Sequence, residues 1–233
     1  MSVLVTGAGG AIGGAIVARL LAQGRAVVAH DMRAPATPVD GVRQIVGDIG
    51  DQAALTDELT QLGVELEAVI AAHGVDGSAA LIDLEDAFVR RVMTVNAASL
   101  PRLLRAVRPH LGAGAPFVVV GSQAGLVGES DNAAYCASKF AVHAWALAER
   151  DDGVVIRVLA PGCTETPLLY AAQERFANAQ GVPTQQFVDA RRARIPLQRF
   201  ARVEETAAAT VYLAGTDGPR PRLLTASGGE VLW

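Results

Sequence analysis

With 233 residues, 51% of them hydrophobic and 19% charged, the chain is long enough for one large domain with a substantial core and has an ordinary globular composition. Its net charge of -4 excludes a nucleic-acid surface, because no basic stripe is present to neutralise a row of phosphates. The small clusters Arg90-Arg91 and Arg191-Arg192-Arg194 read instead as solvated helix faces or interface residues.

No apolar run approaches the about 18 residues that cross a bilayer, and no cleavable leader precedes Ser2-Val3-Leu4-Val5. Cys136 and Cys163 have neither the spacing of a disulfide framework nor a histidine array for zinc. A reducing, cytoplasmic setting with no membrane partner and no metal is therefore expected.

Short apolar runs alternate with helix-period segments along the chain. Strands are predicted at Val3–Thr6, Ala26–His30, Val42–Val46, Ala68–Ala72, Phe117–Gly121, Val154–Leu159 and Leu223–Ala226. Helices are predicted at Ala11–Gln23, Gln52–Leu62, Leu84–Val95, Leu100–Leu111, Ala133–Ala148 and Glu204–Ala214. Strands without polar alternation are those buried on both faces, so the fold class is α/β: a doubly wound parallel sheet of about seven strands in one domain over residues 1–233. Residues 163–200 interrupt the alternation with prolines and two weaker helices, Leu168–Ala179 and Thr184–Ala193, and read as a substrate cap.

The first strand runs into Gly7-Ala8-Gly9-Gly10-Ala11-Ile12-Gly13, and a helix follows. Such a turn lets backbone N–H groups approach a pyrophosphate at the helix N-terminus, which makes Gly7, Gly10, Ala11, Ile12 and Gly13 cofactor contacts. Asp31 lies 18 residues after Gly13, where a carboxylate accepts hydrogen bonds from the adenosine ribose and repels a 2′-phosphate. NAD is thus expected over NADP, with Arg33 close by as a counter-signal. Asp48 and Ile49 follow the third strand, where the adenine edge would lie; Asp48 reads equally well as a cap of the next helix.

One lysine, Lys139, stands among 20 basic residues, and it follows Tyr135 by four positions, on the same helix face. A compact ammonium beside a phenol favours the phenolate. Ser122 ends the fifth strand, 13 positions before Tyr135, and Asn96 closes an earlier helical segment. Together with the Thr6–Gly13 turn, Pro161-Gly162 followed by Thr166-Pro167, the segment Ile195–Phe200 and Gly228-Gly229, this ordered set resembles the short-chain dehydrogenase/reductase family over nearly the whole chain.

The resemblance implies roles for these residues. Tyr135 is the general acid/base, Lys139 lowers its pKa and holds the nicotinamide ribose, Ser122 binds the reacting oxygen, and Asn96 orders a water leading to Lys139. It extends the cofactor contacts to Ala72, Gly74, Pro161, Gly162, Thr164 and Thr166. The implied reaction is NAD(H)-dependent interconversion of a secondary alcohol and its ketone, in a homotetramer or homodimer.

Three features depart from the family pattern. Ala71-Ala72-His73-Gly74 replaces Asn-Asn-Ala-Gly, so asparagine contacts are lost, and His73 is either a substitute partner or a satisfied core histidine. The span from Lys139 to Pro161 and the stretch Gly215–Pro219 are short, which weakens the expectation of a tetramer. The substrate pocket is expected from Ser122, Gln123, Leu126, Asn132, Cys163, Leu168, Leu169, Tyr170, Phe176 and Phe187. Most of these are apolar, which suits an apolar or cyclic alcohol. An NADP-dependent 3-oxoacyl reductase is opposed by Asp31, a sugar-nucleotide epimerase by the chain length, and a redox-sensing regulator by the presence of all four catalytic residues.

Overall fold

A computed structural model describes residues 1–35, 38–148 and 153–231. Seven strands form one parallel sheet in the order β3-β2-β1-β4-β5-β6-β7. They are β1 (Ser2–Thr6), β2 (Ala26–Asp31), β3 (Val42–Val46), β4 (Leu66–Ala71), β5 (Pro116–Val120), β6 (Val155–Pro161) and β7 (Leu223–Ala226). Every residue of the inner strands β1 and β5 is buried, while β3 at one edge is mostly open, as the uninterrupted apolar runs of inner parallel strands require.

Among the described residues there are eight α-helices: α1 (Ala11–Ala22), α2 (Gln52–Leu62), α3 (Asp86–Met93), α4 (Ser99–Val107), α5 (Ala133–Ala148), α6 (Pro167–Ala179), α7 (Thr184–Ala193) and α8 (Val203–Leu213). Alternate strand residues feed two cores. Val3, Val5, Val118 and Val120 pack with Ile16 and Leu20 of α1 and Val211 of α8. Leu4, Val69, Phe117 and Val119 pack with Leu59 of α2, Leu103 of α4 and Val142 of α5. Because β1 lies between β2 and β4, the chain leaves the sheet in opposite directions there, and a crevice opens at the carboxyl ends of β1 and β4.

Two expected boundaries shift for identifiable reasons. Strand β4 starts at Leu66 rather than Ala68: Leu66 pairs with Ser2, and Glu67 falls at an irregularity in the β1–β4 register, its side chain held by Arg25 at 2.9 Å. The helices expected at Leu84–Val95 and Leu100–Leu111 join into one path, α3 then a π-helical turn over Thr94–Ala98 then α4, closing in a 3₁₀ turn at Arg108–His110. Pro101 has no N–H to offer the Ala97 carbonyl, and Ser99 N–H reaches back to Thr94, so the register widens by one residue. The shortened span after Lys139 includes residues 149–152, which lie outside the described residues.

Candidate active site

The carboxyl ends of β1, β4, β5 and β6 border one cleft of about 940 Å³. At one end the wall is almost wholly main chain. Gly7 has φ +69°, and a Cβ there would stand 2.6 Å from His73 Cα. A Cβ on Gly13 would stand 2.0 Å from the Gly7 carbonyl oxygen, so only glycine lets α1 begin against this turn. Helix α1 starts at Gly10 with no side-chain cap, which leaves its first-turn N–H groups facing the cleft. Asp31, at the end of β2, is held beside the turn: its carboxylate accepts from Gly9 N at 3.0 Å and Arg33 N at 3.2 Å. A Cβ-free approach, an uncapped helix terminus and a carboxylate at the ribose position fit a dinucleotide.

Other expected cofactor residues divide. Gly10, Ala11, Ile12, Ala72, Gly74, Pro161, Gly162, Thr164 and Thr166 line the cleft. Gly7, Asp31, Asp48 and Ile49 lie outside its lining. Asp48 closes a turn on Gly50 N at 2.8 Å, Asp51 rather than Asp48 caps α2, and Ile49 sits in the core. The Thr164 hydroxyl meets Thr206 at 3.0 Å, and the Thr166 hydroxyl caps α6 through Leu169 N.

His73 proves to be a satisfied histidine. Ser99 Oγ donates to the Val95 carbonyl at 2.7 Å, so it accepts from His73 Nε2 at 2.8 Å. His73 Nδ1 then accepts from Thr6 Oγ1 at 2.7 Å. This neutral ring fills the space beside β1, and burial brings its pKa down to about 3, with Lys139 and His30 adding to the fall.

Three of the four expected catalytic positions, Ser122, Tyr135 and Lys139, line the cleft together, while Asn96 lies outside its lining. Ser122 begins a 3₁₀ turn, and its Oγ accepts from Ala124 N at 3.1 Å. Tyr135 and Lys139 project from one face of α5, with Lys139 Nζ 5.6 Å from the Tyr135 ring centroid and 3.0 Å from the Val120 carbonyl oxygen. Gly77 permits the loop after β4 to lie against the start of α5, since a Cβ there would stand 2.8 Å from Tyr135 N. Asn96, in the π-helical turn, accepts from Val75 N at 2.7 Å and donates to Val75 O at 2.9 Å and Ser138 Oγ at 3.1 Å.

The electrostatics differ from the expectation at one point. Burial brings Lys139 down to about 8. Burial also pushes the Tyr135 phenol above its ordinary value; the hydrogen bond from Ser122 opposes this, and the nearby Glu129 and Asp76 add to it. The anticipated depression of the phenol by Lys139 is not found: burial sets the direction, and the influence opposing it comes from Ser122.

Sequence reasoning missed His143, one turn beyond Lys139. Its ring is buried under the Ser122 loop, with Nε2 3.4 Å from Ser122 N, and it fits only because Gly121 and Gly125 lack side chains; a Cβ at Gly121 would stand 2.3 Å from Nε2.

The opposite end of the cleft is built of side chains. Leu168, Leu169, Phe176 and Phe187 form an apolar wall as expected. Leu126 and Tyr170 do not line it; Tyr170 packs edge-on against Phe200, with ring centroids 6.5 Å apart. The remaining wall is polar: Gln123 and Asn132 stand there as expected, whereas Glu129, Arg191 and Glu230 were not foreseen from the sequence. Arg191 leaves the solvated cluster it was assigned to and lies between Glu129 at 3.0 Å and Glu230 at 3.3 Å, with Cys163 Sγ at 3.5 Å from its Nε. Gln123 and Asn132 complete the group, and the Gln123 Oε1 atom is buried with no partner. An unsatisfied buried acceptor of this kind costs about 1–3 kcal/mol. Arg175 of α6 pairs with Asp76 across the cleft mouth.

A parallel sheet with a crevice at its order reversal, a glycine turn and a Ser–Tyr–Lys group define a dinucleotide-binding oxidoreductase. The family model for short chain dehydrogenase matches residues 1–176, and the chain belongs to that family. It is 28% identical over 231 residues to 2-dehydro-3-deoxy-L-rhamnonate dehydrogenase (NAD(+)) of Sphingomonas sp. (strain SKA58), covering 92% of this chain and 88% of that one. It is 32% identical over 234 residues to cis-4-hydroxycyclohexanecarboxylate dehydrogenase of Sinomonas cyclohexanicum, covering 91% and 88%. The fold superposes on a short chain dehydrogenase family protein from Francisella tularensis subsp. tularensis SCHU S4 with a TM-score of 0.87 at 22% identity, covering 98% of each chain.

Proposed function

We propose that the protein interconverts a secondary alcohol and its ketone with NAD(H), with Tyr135 as general acid/base. The observation that carries this reading is the meeting of Ser122, Tyr135 and Lys139 in one cleft, between a glycine-built turn and the side-chain wall at the other end. When bound, the nicotinamide supplies the hydride chemistry. The chain's own residues orient the substrate and move its proton. Ser122 hydrogen-bonds the substrate oxygen, and Tyr135 takes the hydroxyl proton on oxidation or returns it on reduction. Lys139, already below its ordinary pKa, holds the ribose and relays that proton, which an arginine cannot do.

Asn96 acts through its neighbours: it pins Val75 and Ser138 and so sets Gly74 beside Lys139, whose Nζ would lie 3.8 Å from a Cβ there. This positioning stands beside the ordered water that the family resemblance assigns to Asn96. Asp31 supports NAD over NADP, and the relative whose name specifies NAD(+) agrees with that preference. A cyclic substrate is supported by the cyclohexane-ring substrate in the name of the Sinomonas relative and by the apolar wall. Residues 163–200, with α6 and α7, serve as the cap. Phe140, Trp145 and Leu147 stand exposed on α5, which supports a homo-oligomer. Two free thiols and no helix, among the described residues, long and apolar enough to cross a membrane agree with a cytoplasmic setting.

The test is a panel of secondary alcohols and ketones assayed by the absorbance of the reduced nicotinamide with each cofactor, beside fluorescence titrations of NADH and NADPH. Turnover with NAD(H) and tighter binding of NADH are expected. Equal affinity for the two would remove the argument from Asp31, and no turnover of any member would sink the assignment.

A further inference from the structure

We propose that His143 is the positioning residue for Ser122: its neutral ring accepts the Ser122 N–H and so aligns the Ser122 hydroxyl with Tyr135. This rests on the reading of Ser122 and Tyr135 as the groups that handle the substrate oxygen, and adds the device that holds them in register.

Tyr135, Lys139 and His143 recur at every fourth position of α5 and form three rungs of one helix face. The last two rungs grip the end of β5 on either side of Gly121. Lys139 Nζ donates to the Val120 carbonyl at 3.0 Å, and Ser122 N–H donates to His143 Nε2 at 3.4 Å. The other bonds of Ser122 close its own turn. Gly125 N–H donates to the Ser122 carbonyl at 2.9 Å, and Ala124 N–H donates to Ser122 Oγ at 3.1 Å. Those two bonds leave the turn able to shift as a unit. The Ser122 N–H instead reaches out of the turn, to the helix that carries Tyr135. His143 lies outside the lining of the cleft, so it acts through Ser122 rather than on a substrate.

The space and the proton both fit this role. Two glycines clear room for the ring: a Cβ on Gly121 would stand 2.3 Å from Nε2, and one on Gly125 2.9 Å from Cε1. A backbone N–H can only donate, so Nε2 must present its lone pair and the ring proton must sit on Nδ1. Turning the ring over would set Cε1 against the Ser122 N–H. An imidazolium would set donor against donor, and burial together with the nearby Lys139 ammonium opposes that charge. The tautomer leaves Nδ1–H buried with no partner among the described residues, so it is the bond to Ser122 that fixes the proton's place. Leucine at this position fills the space but accepts nothing. Glutamine accepts, because its Oε1 lies as many bonds from Cα as Nε2 does.

The test takes wild type, His143→Leu and His143→Gln through oxidation of the secondary-alcohol panel with NAD, cyclohexanol included, and through NADH titration by fluorescence. A long-range proton–nitrogen correlation spectrum of NADH-bound wild type reads the His143 tautomer without any turnover. His143→Leu should lower kcat by about tenfold to a hundredfold while KM and NADH affinity move by less than about threefold, because a misplaced Ser122 hydroxyl is felt most in the transition state. His143→Gln should recover most of that kcat, and the spectrum should show the proton on Nδ1. Near-normal kcat in His143→Leu, or a glutamine variant no better than the leucine one, would overturn the positioning role. A proton on Nε2 would overturn it whatever the rates. Wild type that oxidises no member of the panel while its Nδ1 is protonated would remove the oxidoreductase reading and keep the bond that holds Ser122.

Discussion

At the cofactor end of the cleft nearly every contact surface is main chain, whereas at the substrate end it is side chain. The first is built around β1, where Gly13 lets α1 begin against the Gly7 turn and Gly7 lets that turn lie against His73 just past the end of β4, closer than any Cβ allows. The second is assembled from Gln123, Glu129, Arg191 and Glu230, joined by contacts that span 62 and 107 residues of sequence. A backbone surface recognises what every dinucleotide has in common, a pyrophosphate with ribose. A side-chain cluster can be exchanged residue by residue without disturbing the sheet. The contrast shows how one scaffold keeps its cofactor while its substrate is free to change.

The strongest way to break this contrast is at the backbone end. Gly13→Ala places a methyl 2.0 Å from the Gly7 carbonyl oxygen, and should abolish NADH binding by fluorescence titration and lower stability by about 1–3 kcal/mol or more. Retained binding would show that the turn tolerates a side chain after all. At the junction of the two ends, Lys139→Arg keeps the charge but should lower kcat by about tenfold or more, because the fork is bulkier and relays no proton. Near-normal turnover in that variant would mean that the lone lysine carries only charge.

A smaller effect separates the buried histidines from the cluster. Burial brings His143 down to about 4 and His73 to about 3, from an ordinary value of 6.5. Below pH 6.5 the unfolded chain takes up protons at these positions while the folded chain does not, so stability is lost as pH falls from 6.5 toward about 4. The urea midpoint should decline across that window with an unchanged m-value, and the decline should shrink in His143→Leu. A midpoint flat over that range would mean that neither ring is held neutral.

The legible parts of the molecule are those where physics leaves a local mark. Apolar runs such as Val3-Leu4-Val5 announce an inner strand, and α2 and α7 begin and end where periodicity placed them. Tyr135 and Lys139 were visible because the helical repeat puts them on one face. The π-helical turn at Asn96 was not drawn, although Pro101 marks the place where a regular helix must give way. His73 could be resolved only by its partners Thr6 and Ser99, which lie 67 and 26 residues away. Arg191 is the plainest failure: beside Arg192 and Arg194 it looks like a solvated charge run, and only tertiary packing sets it between two carboxylates. Glu129 carried one usable signal, its place between Ser122 and Tyr135, a stretch that must border the cleft.

The account rests above all on Tyr135 as the proton-transfer group. Its most direct test is single-turnover oxidation by Tyr135→Phe, with NADH binding measured on the same sample. A loss of about 10²–10⁴-fold in rate with cofactor affinity preserved is predicted. An unchanged rate in that variant would contradict the mechanism outright.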